Sequence, residues 1–114
     1  MYADLDRPPL RANALQRALE QDGYRVEVLE STGSTNAVVA DRARQGEAHG
    51  LVVAAEQQTE GRGRLDRTWV SPPRAGLTFS VLVRPSGPPT WVPLLAGAGV
   101  AQALRRQAEV DAQL

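Results

Sequence analysis

The sequence predicts an α+β domain in which helices pack in layers against a mixed β-sheet. The 114-residue chain has the length of one domain. Its composition, 42% hydrophobic and 23% charged residues, is that of an ordinary folded protein. Segments with apolar residues at helical spacing alternate along the chain with segments of strand pattern, and this interleaving indicates a layered architecture.

The first predicted elements are a helix over residues 10–21 and a strand over residues 25–29. Apolar residues recur in the first segment at the spacing of one helix face, and Gly23 stands where a C-terminal cap belongs. In the second segment, apolar and polar residues alternate, which is typical of a strand with one buried face.

A second helix is predicted over residues 35–45. Ser34 follows a turn-forming Ser-Thr-Gly stretch and is a candidate N-cap, while Gly46 ends the helical pattern. The unbroken apolar run at residues 51–55 then indicates a strand covered on both faces.

The remaining elements are a strand over residues 77–83, an irregular proline-rich connection and a helix over about 92–106. Residues 110–114 resemble the opening of another strand. Such an ending indicates a fragment of a longer domain, and the alternative is a frayed polar C-terminus. If partner strands are missing, we expect apolar surface to be uncovered at residues 51–55 and 77–83.

The charges exclude several kinds of chemistry. The 13 basic residues balance 13 acidic ones, so any anion site must be local rather than a property of the whole surface. All the basic residues are Arg, which excludes a lysine nucleophile and a Gly-Lys-Ser/Thr phosphate loop.

The chain has no Cys and a single His49, so no metal site is predicted. Without an apolar leader or a membrane-length apolar run, a cytoplasmic protein is expected.

The segment at residues 61–69 predicts an anion site. Arg62, Arg64 and Arg67 supply planar, permanently charged donors, while Gly61 and Gly63 allow close backbone approach. Such a segment can offset repulsion between a carboxylate and a phosphate during a reaction. The alternative is a nucleic-acid-binding segment, against which stand the zero net charge and the low aromatic content.

Neutral polar residues accompany this segment. Ser34, Thr35 and Asn36 lie at a predicted helix N-terminus, where free N–H groups attract acceptors, and Gln58 precedes the glycines. The alternative interpretation of Ser34 is helix capping alone, and that of Trp69 is core packing.

Taken together, the Gly-Ser-Thr-Asn, Glu-Gln-Gln-Thr, Gly-Arg-Gly-Arg, Arg-x-Trp and Leu-Thr-Phe-Ser motifs resemble the biotin protein ligase family in order and spacing. The resemblance implies a catalytic domain like that of class II aminoacyl-tRNA synthetases. It implies that the biotin site comprises Ser34, Thr35, Asn36, Gln58, Arg62, Gly63 and Arg64. It also implies that Gly61, Arg64, Arg67 and Trp69 bind the nucleotide, with Arg62 and Arg64 as catalytic residues.

The same resemblance implies activation of biotin by ATP and Mg²⁺, followed by transfer to a lysine of a biotin carboxyl carrier domain. The lysine motif of the family is expected beyond Leu114, so the 114 residues alone are expected to be inactive and to lack the C-terminal domain. Residues 1–9 are expected to be flexible, with no N-terminal DNA-binding domain. Glu60 and Asp66 place carboxylates where the family has small residues. A lipoate or octanoyl ligase is the enzymatic alternative.

Overall fold

A computed structural model describes residues 8–62, 68–73 and 76–107. The helices are α1 (Ala12–Leu19), α2 (Thr35–Arg44) and α3 (Val92–Gln107), and 3₁₀ turns occupy Glu20–Asp22 and Pro89–Trp91. The strands are β1 (Arg25–Thr32), β2 (Leu51–Arg62), β3 (Thr68–Ser71) and β4 (Thr78–Val81).

The sheet is mixed and is organised around β2, its longest strand. β1 runs parallel to β2 along one edge, with Arg25 opposite Leu51 and Thr32 opposite Gln58. β4 and β3 share the other edge of β2 and are both antiparallel to it. The carboxyl end of β1 lies opposite Gln58 of β2, beside the start of α2, which connects these two parallel strands. The predicted α+β class with a mixed sheet is confirmed.

The core lies between α2 and the sheet. Leu51 and Val53 are almost completely buried, and Val39 of α2 and Leu82 pack with them. Burial of such side chains stabilises the fold by roughly 1.5–3 kcal/mol each. The prediction that residues 51–55 would be uncovered is therefore wrong, since β2 has hydrogen-bonded neighbours on both edges.

Apolar side chains do remain exposed on the opposite side of the sheet. Leu77 is 65% exposed and Phe79 is 46% exposed. The cavity between α1 and this face, of about 350 Å³, is lined by Leu10, Leu15, Leu19, Tyr24, Val26, Val52, Ala54, Leu77, Phe79 and Val81. The expected exposure in residues 77–83 is thus confirmed on this face.

The turns and the helix cap were predicted more accurately than the ends of the strands. Gly23 and Gly46 both have positive φ, of 87° and 88°, directly after helical segments. The Ser34 side chain caps α2 by accepting a hydrogen bond from Ala37 N. However, β2 continues to Arg62 and pairs with β3, so Gly61 and Arg62 belong to a strand rather than to a loop.

A second compact unit, Pro85–Leu114, contains α3. This helix confirms the prediction for residues 92–106. Within the described parts of the chain, no helix is both long enough and apolar enough to cross a bilayer. The strand predicted at residues 110–114 lies outside the described residues, as do most of residues 1–9.

An ion-pair network joins α2 to β1 and to the loop before β2. The guanidinium of Arg42 forms two 2.9 Å bonds to the Glu27 carboxylate and also binds Glu47. Glu47 accepts a further bond from Arg25. The hydrogen bonds from Arg42 and then Arg25 hold the pKa of the Glu47 carboxyl below its ordinary value of 4.5.

Replacing Glu47 with Gln is expected to lower stability at neutral pH and to have no effect in acid. A carboxyl whose pKa is depressed by folding stabilises the folded state above its unfolded pKa, and this contribution is lost as the pH falls through the folded pKa. Melting temperatures of the two proteins should therefore converge as the pH falls below 4.5. Glu30→Gln, an exposed change on β1, is the control. A pH-independent difference between wild type and Glu47→Gln would contradict the explanation.

Candidate functional site

A group of polar side chains meets where the carboxyl end of β1 lies beside the polar part of β2. β1 ends at Thr32, the chain turns at Gly33, and α2 begins at Thr35. The parallel register places Thr32 directly opposite Gln58. This geometry brings the free N–H groups at the N-terminus of α2 beside the polar stretch of β2.

Gln58 is the buried centre of this group. Its side chain is only 2% exposed, and its Oε1 accepts a 2.8 Å hydrogen bond from Thr35 N. The bond satisfies one of the N–H groups that a helix N-terminus leaves without an intrahelical partner. Since Oε1 is used in this way, the Nε2 amide is the part of Gln58 that can donate to a ligand.

Three further side chains form a chain of hydrogen bonds. The hydroxyls of Thr35 and Ser80 lie 2.8 Å apart, and Ser80 Oγ donates to Asn36 Oδ1 at 3.0 Å. These contacts connect the first turn of α2 to β4 across the end of the sheet. Thr35 is 3% exposed, so its hydroxyl is held in a nearly dry environment.

These residues line a cleft of about 270 Å³. Its walls are formed by Ser34, Thr35, Asn36, Gln58, Leu77, Thr78, Phe79 and Ser80. A cleft of this size with several convergent polar groups and an apolar wall is typical of the recognition site for the head group of a small molecule.

A β-bulge follows Gln58 in β2. Gln58 pairs with Ser71 and Gly61 pairs with Trp69, so β2 has one more residue in this interval than β3. Bulges re-aim a strand and occur beside functional sites. In the bulge, Glu60 N donates to Gly33 O at 2.6 Å.

The Glu60 carboxylate lies against the turn before α2. A Cβ placed on Gly33 would be only 3.1 Å from Glu60 Oε2, so glycine allows this close approach. The exposed Glu60 also borders a shallower cavity, of about 590 Å³, which shares Ser34 and Asn36 with the cleft.

The structure thus brings together four of the residues predicted to bind biotin: Ser34, Thr35, Asn36 and Gln58. Gly61 is buried within β2, opposite Trp69. The backbones of Arg62 and Trp69 belong to β2 and β3. Gly63, Arg64, Asp66 and Arg67 lie outside the described residues. The ligand roles of all these residues stay predictions.

Sequence reasoning missed the four residues of and beside β4 that line the cleft, of which two are polar, Thr78 and Ser80. Both stand on one face of β4, whose other face carries Phe79 and Val81. The polar half of this alternation could have been recognised as a site signal, because it occurs in a strand that pairs with β2. In the sequence, this segment was interpreted as a strand and as one of the motifs that carry the family resemblance, with no ligand role for Thr78 or Ser80.

No set of three or more His, Asp or Glu side chains in the described residues is arranged to hold a metal ion. The polar groups of the cleft are hydroxyls and amides. These neutral groups suit hydrogen bonding to an uncharged polar ligand group.

Comparison with known protein families gives a match over residues 28–111 to the biotin/lipoate A/B protein ligase family. Biotin--[acetyl-CoA-carboxylase] ligase of Mycobacterium tuberculosis is 41% identical over 102 residues, which is 82% of this chain and 38% of that protein. The bifunctional ligase/repressor BirA of Bacillus subtilis is 33% identical over 91 residues, or 77% of this chain and 27% of that protein. The chain therefore spans well under half the length of these relatives.

Solved structures show the same similarity. The biotin protein ligase from Aquifex aeolicus in complex with biotin and ATP has a TM-score of 0.62 and 31% identity, over 78% of this chain and 38% of that chain. The biotin protein ligase from Leishmania major in complex with biotin has a TM-score of 0.55 and 32% identity, over 71% and 34% of the respective chains.

Proposed function

Since this chain belongs to the biotin/lipoate A/B protein ligase family, we propose that it carries the biotin-recognition part of an ATP-dependent biotin protein ligase. A carboxylate oxygen of biotin attacks the α-phosphorus of ATP, the bond to the β-phosphate oxygen breaks, and biotinyl-AMP and pyrophosphate form. A lysine amine of a biotin carboxyl carrier domain then attacks the acyl carbon, AMP leaves, and the amine proton passes to solvent. A cytoplasmic setting, where ATP and carboxylases are made, is part of the proposal.

The observation that carries the proposal is the convergence of Thr35, Asn36 and Gln58 in one cleft. Biotin has a polar ureido head, whose carbonyl accepts hydrogen bonds and whose two N–H groups donate them. Gln58 offers amide donors, the Ser34 hydroxyl can donate, and the Thr35 hydroxyl oxygen can accept. The cleft therefore supplies partners of both kinds to the head group.

The arginines are proposed to act at the other end of the ligand. The attack joins a carboxylate to a triphosphate, and the two negative groups repel each other. Guanidinium groups at Arg62 and Arg64 are proposed to offset that repulsion without reorganising during the reaction. Gly61, Gly63, Arg67 and Trp69 are proposed to approach the nucleotide.

The chemistry of the described donors does not fit a resident Mg²⁺ site, because hydroxyls and amides dominate the cleft. We propose that Mg²⁺ instead arrives bound to the ATP phosphates, a common mode for this ion. The Mg²⁺ ion would then neutralise part of the negative charge of the triphosphate.

Exchange of labelled pyrophosphate into ATP by the full-length parent protein tests the proposed activation step, because the 114 residues alone are expected to be inactive. We expect exchange that depends on biotin and is unaffected by lipoate or octanoate. Exchange that requires lipoate would favour the lipoate-ligase alternative. Salt-sensitive oligonucleotide binding without biotin-dependent exchange would favour the nucleic-acid-binding module. Either result would contradict the proposed function.

A further inference from the structure

Ser80 lies between two residues that are proposed to bind the ligand, and Ser80 itself is not among the proposed ligand contacts. Its hydroxyl is 2.8 Å from Thr35 Oγ1 and 3.0 Å from Asn36 Oδ1. Ser80 belongs to β4, whereas both of its partners lie in the first turn of α2. The contact therefore reaches across the cleft wall rather than along one element.

The chemistry of the three groups fixes the direction of the hydrogen bonds. A hydroxyl carries one proton, and a carbonyl oxygen can only accept. Ser80 uses its proton to donate to Asn36 Oδ1. The 2.8 Å contact between the two hydroxyls must then use the Thr35 proton, so Thr35 donates to Ser80.

This direction determines what each side chain offers the cleft. Asn36, with its oxygen used by Ser80, presents its Nδ2 amide protons. Thr35, with its proton used by Ser80, presents the lone pairs of its oxygen. Gln58 presents Nε2 because its oxygen accepts from Thr35 N.

We propose that Ser80 is a positioning residue that fixes this pattern, with two amide donors and one hydroxyl acceptor facing the ligand. The inference rests on the proposed function and deepens it, because the pattern matches one edge of a cyclic urea. The carbonyl oxygen of the urea accepts from Asn36 and Gln58, and an adjacent N–H donates to Thr35.

The pattern also explains how the cleft distinguishes close analogues. In 2-iminobiotin, a guanidine replaces the urea, and its protonated form has donors but no acceptor, like the Arg side chain. Two amide donors facing such a group leave their hydrogen bonds unmade, which is costly in a dry site. The wild-type cleft should therefore prefer biotin strongly to 2-iminobiotin at neutral pH.

The test is the ratio of the dissociation constants of 2-iminobiotin and biotin, measured by calorimetry on the full chain. In Ser80→Ala, the Asn36 amide is free to turn and present its oxygen, and Thr35 is free to donate. We expect the preference for biotin to fall by about tenfold, as for the loss of one well-placed hydrogen bond. Ser80→Thr retains the hydroxyl and should restore the preference.

A purely structural role for Ser80 would weaken both ligands equally and leave the ratio unchanged, which would overturn the inference. Ser31→Ala removes an exposed hydroxyl from β1 outside the cleft and is the matched control. If wild type does not bind biotin, the proposed function fails and this inference fails with it. If wild type binds biotin but Ser80→Ala keeps the wild-type ratio, only the role of Ser80 fails.

Discussion

Replacing Gln58 with Leu is expected to weaken biotin binding by about 100-fold and to lower the free energy of unfolding by about 1–3 kcal/mol. The side chain is 2% exposed and its oxygen satisfies Thr35 N. Leucine leaves that helix N–H without its partner and removes an amide donor from the cleft. Calorimetry with biotin and denaturant unfolding measure the two effects.

Gln58→Glu should separate those effects. A carboxylate still accepts from Thr35 N, and the N-terminus of α2 offsets part of the cost of burying its charge, so Gln58→Glu should lose less stability than Gln58→Leu. The variant nevertheless presents only acceptor oxygens to the ligand carbonyl and should bind biotin about as poorly as Gln58→Leu. Gln102→Glu, an exposed change in α3, controls for the added charge. Wild-type biotin affinity in Gln58→Glu would contradict the proposed contact.

In the full-length parent protein, Arg64→Ala is expected to slow formation of biotinyl-AMP by about 100-fold to 1000-fold, the usual loss for one donor that stabilises developing charge. The expectation follows from the Gly-Arg-Gly-Arg sequence and from the repulsion between the reacting anions. Single-turnover measurement with labelled ATP at saturating biotin isolates this step, because substrate binding is then complete.

The matched control for Arg64→Ala is Arg17→Ala. Arg17 is an exposed guanidinium in the last turn of α1, outside the residues that line the cleft. Its removal should leave the rate unchanged. Similar rates for wild type and both variants would remove Arg64 from the catalytic group.

The fold could be predicted from the sequence where burial and turn chemistry act locally. The Ser34 cap, the positive φ of Gly23 and the buried strand at Leu51 all follow from short-range signals. The second half of β2 could not be predicted in this way. Its polar residues show no apolar alternation, and what makes them a strand is hydrogen bonding to β1 and β3. The periodicity of apolar residues indicates which face of a segment is buried, and it gives no information on the hydrogen-bonded pairing of strands.

In the candidate site, too, local sequence signals identified individual residues, and contacts between distant residues could not be predicted. Thr35 and Gln58 were identified as polar residues at a helix start and before the glycines, and then through motif resemblance, whereas their contact depends on the parallel register of β1 and β2. Ser80 was missed because its importance arises from partners 44 and 45 residues earlier in the chain. These residues come into contact only because α2 crosses from β1 to the parallel strand β2 and β4 pairs antiparallel with β2.

β2 continues past the buried core to Arg62 as one strand, with a bulge after Gln58. Gln58 and Arg62 are four positions apart on one strand, a backbone span of about 13 Å before the bulge shortens it. Under the proposed function, an acid whose head is held at Gln58 would extend along β2 toward the backbone of the Gly-Arg-Gly-Arg segment. The distance along the strand would then favour acids of one chain length.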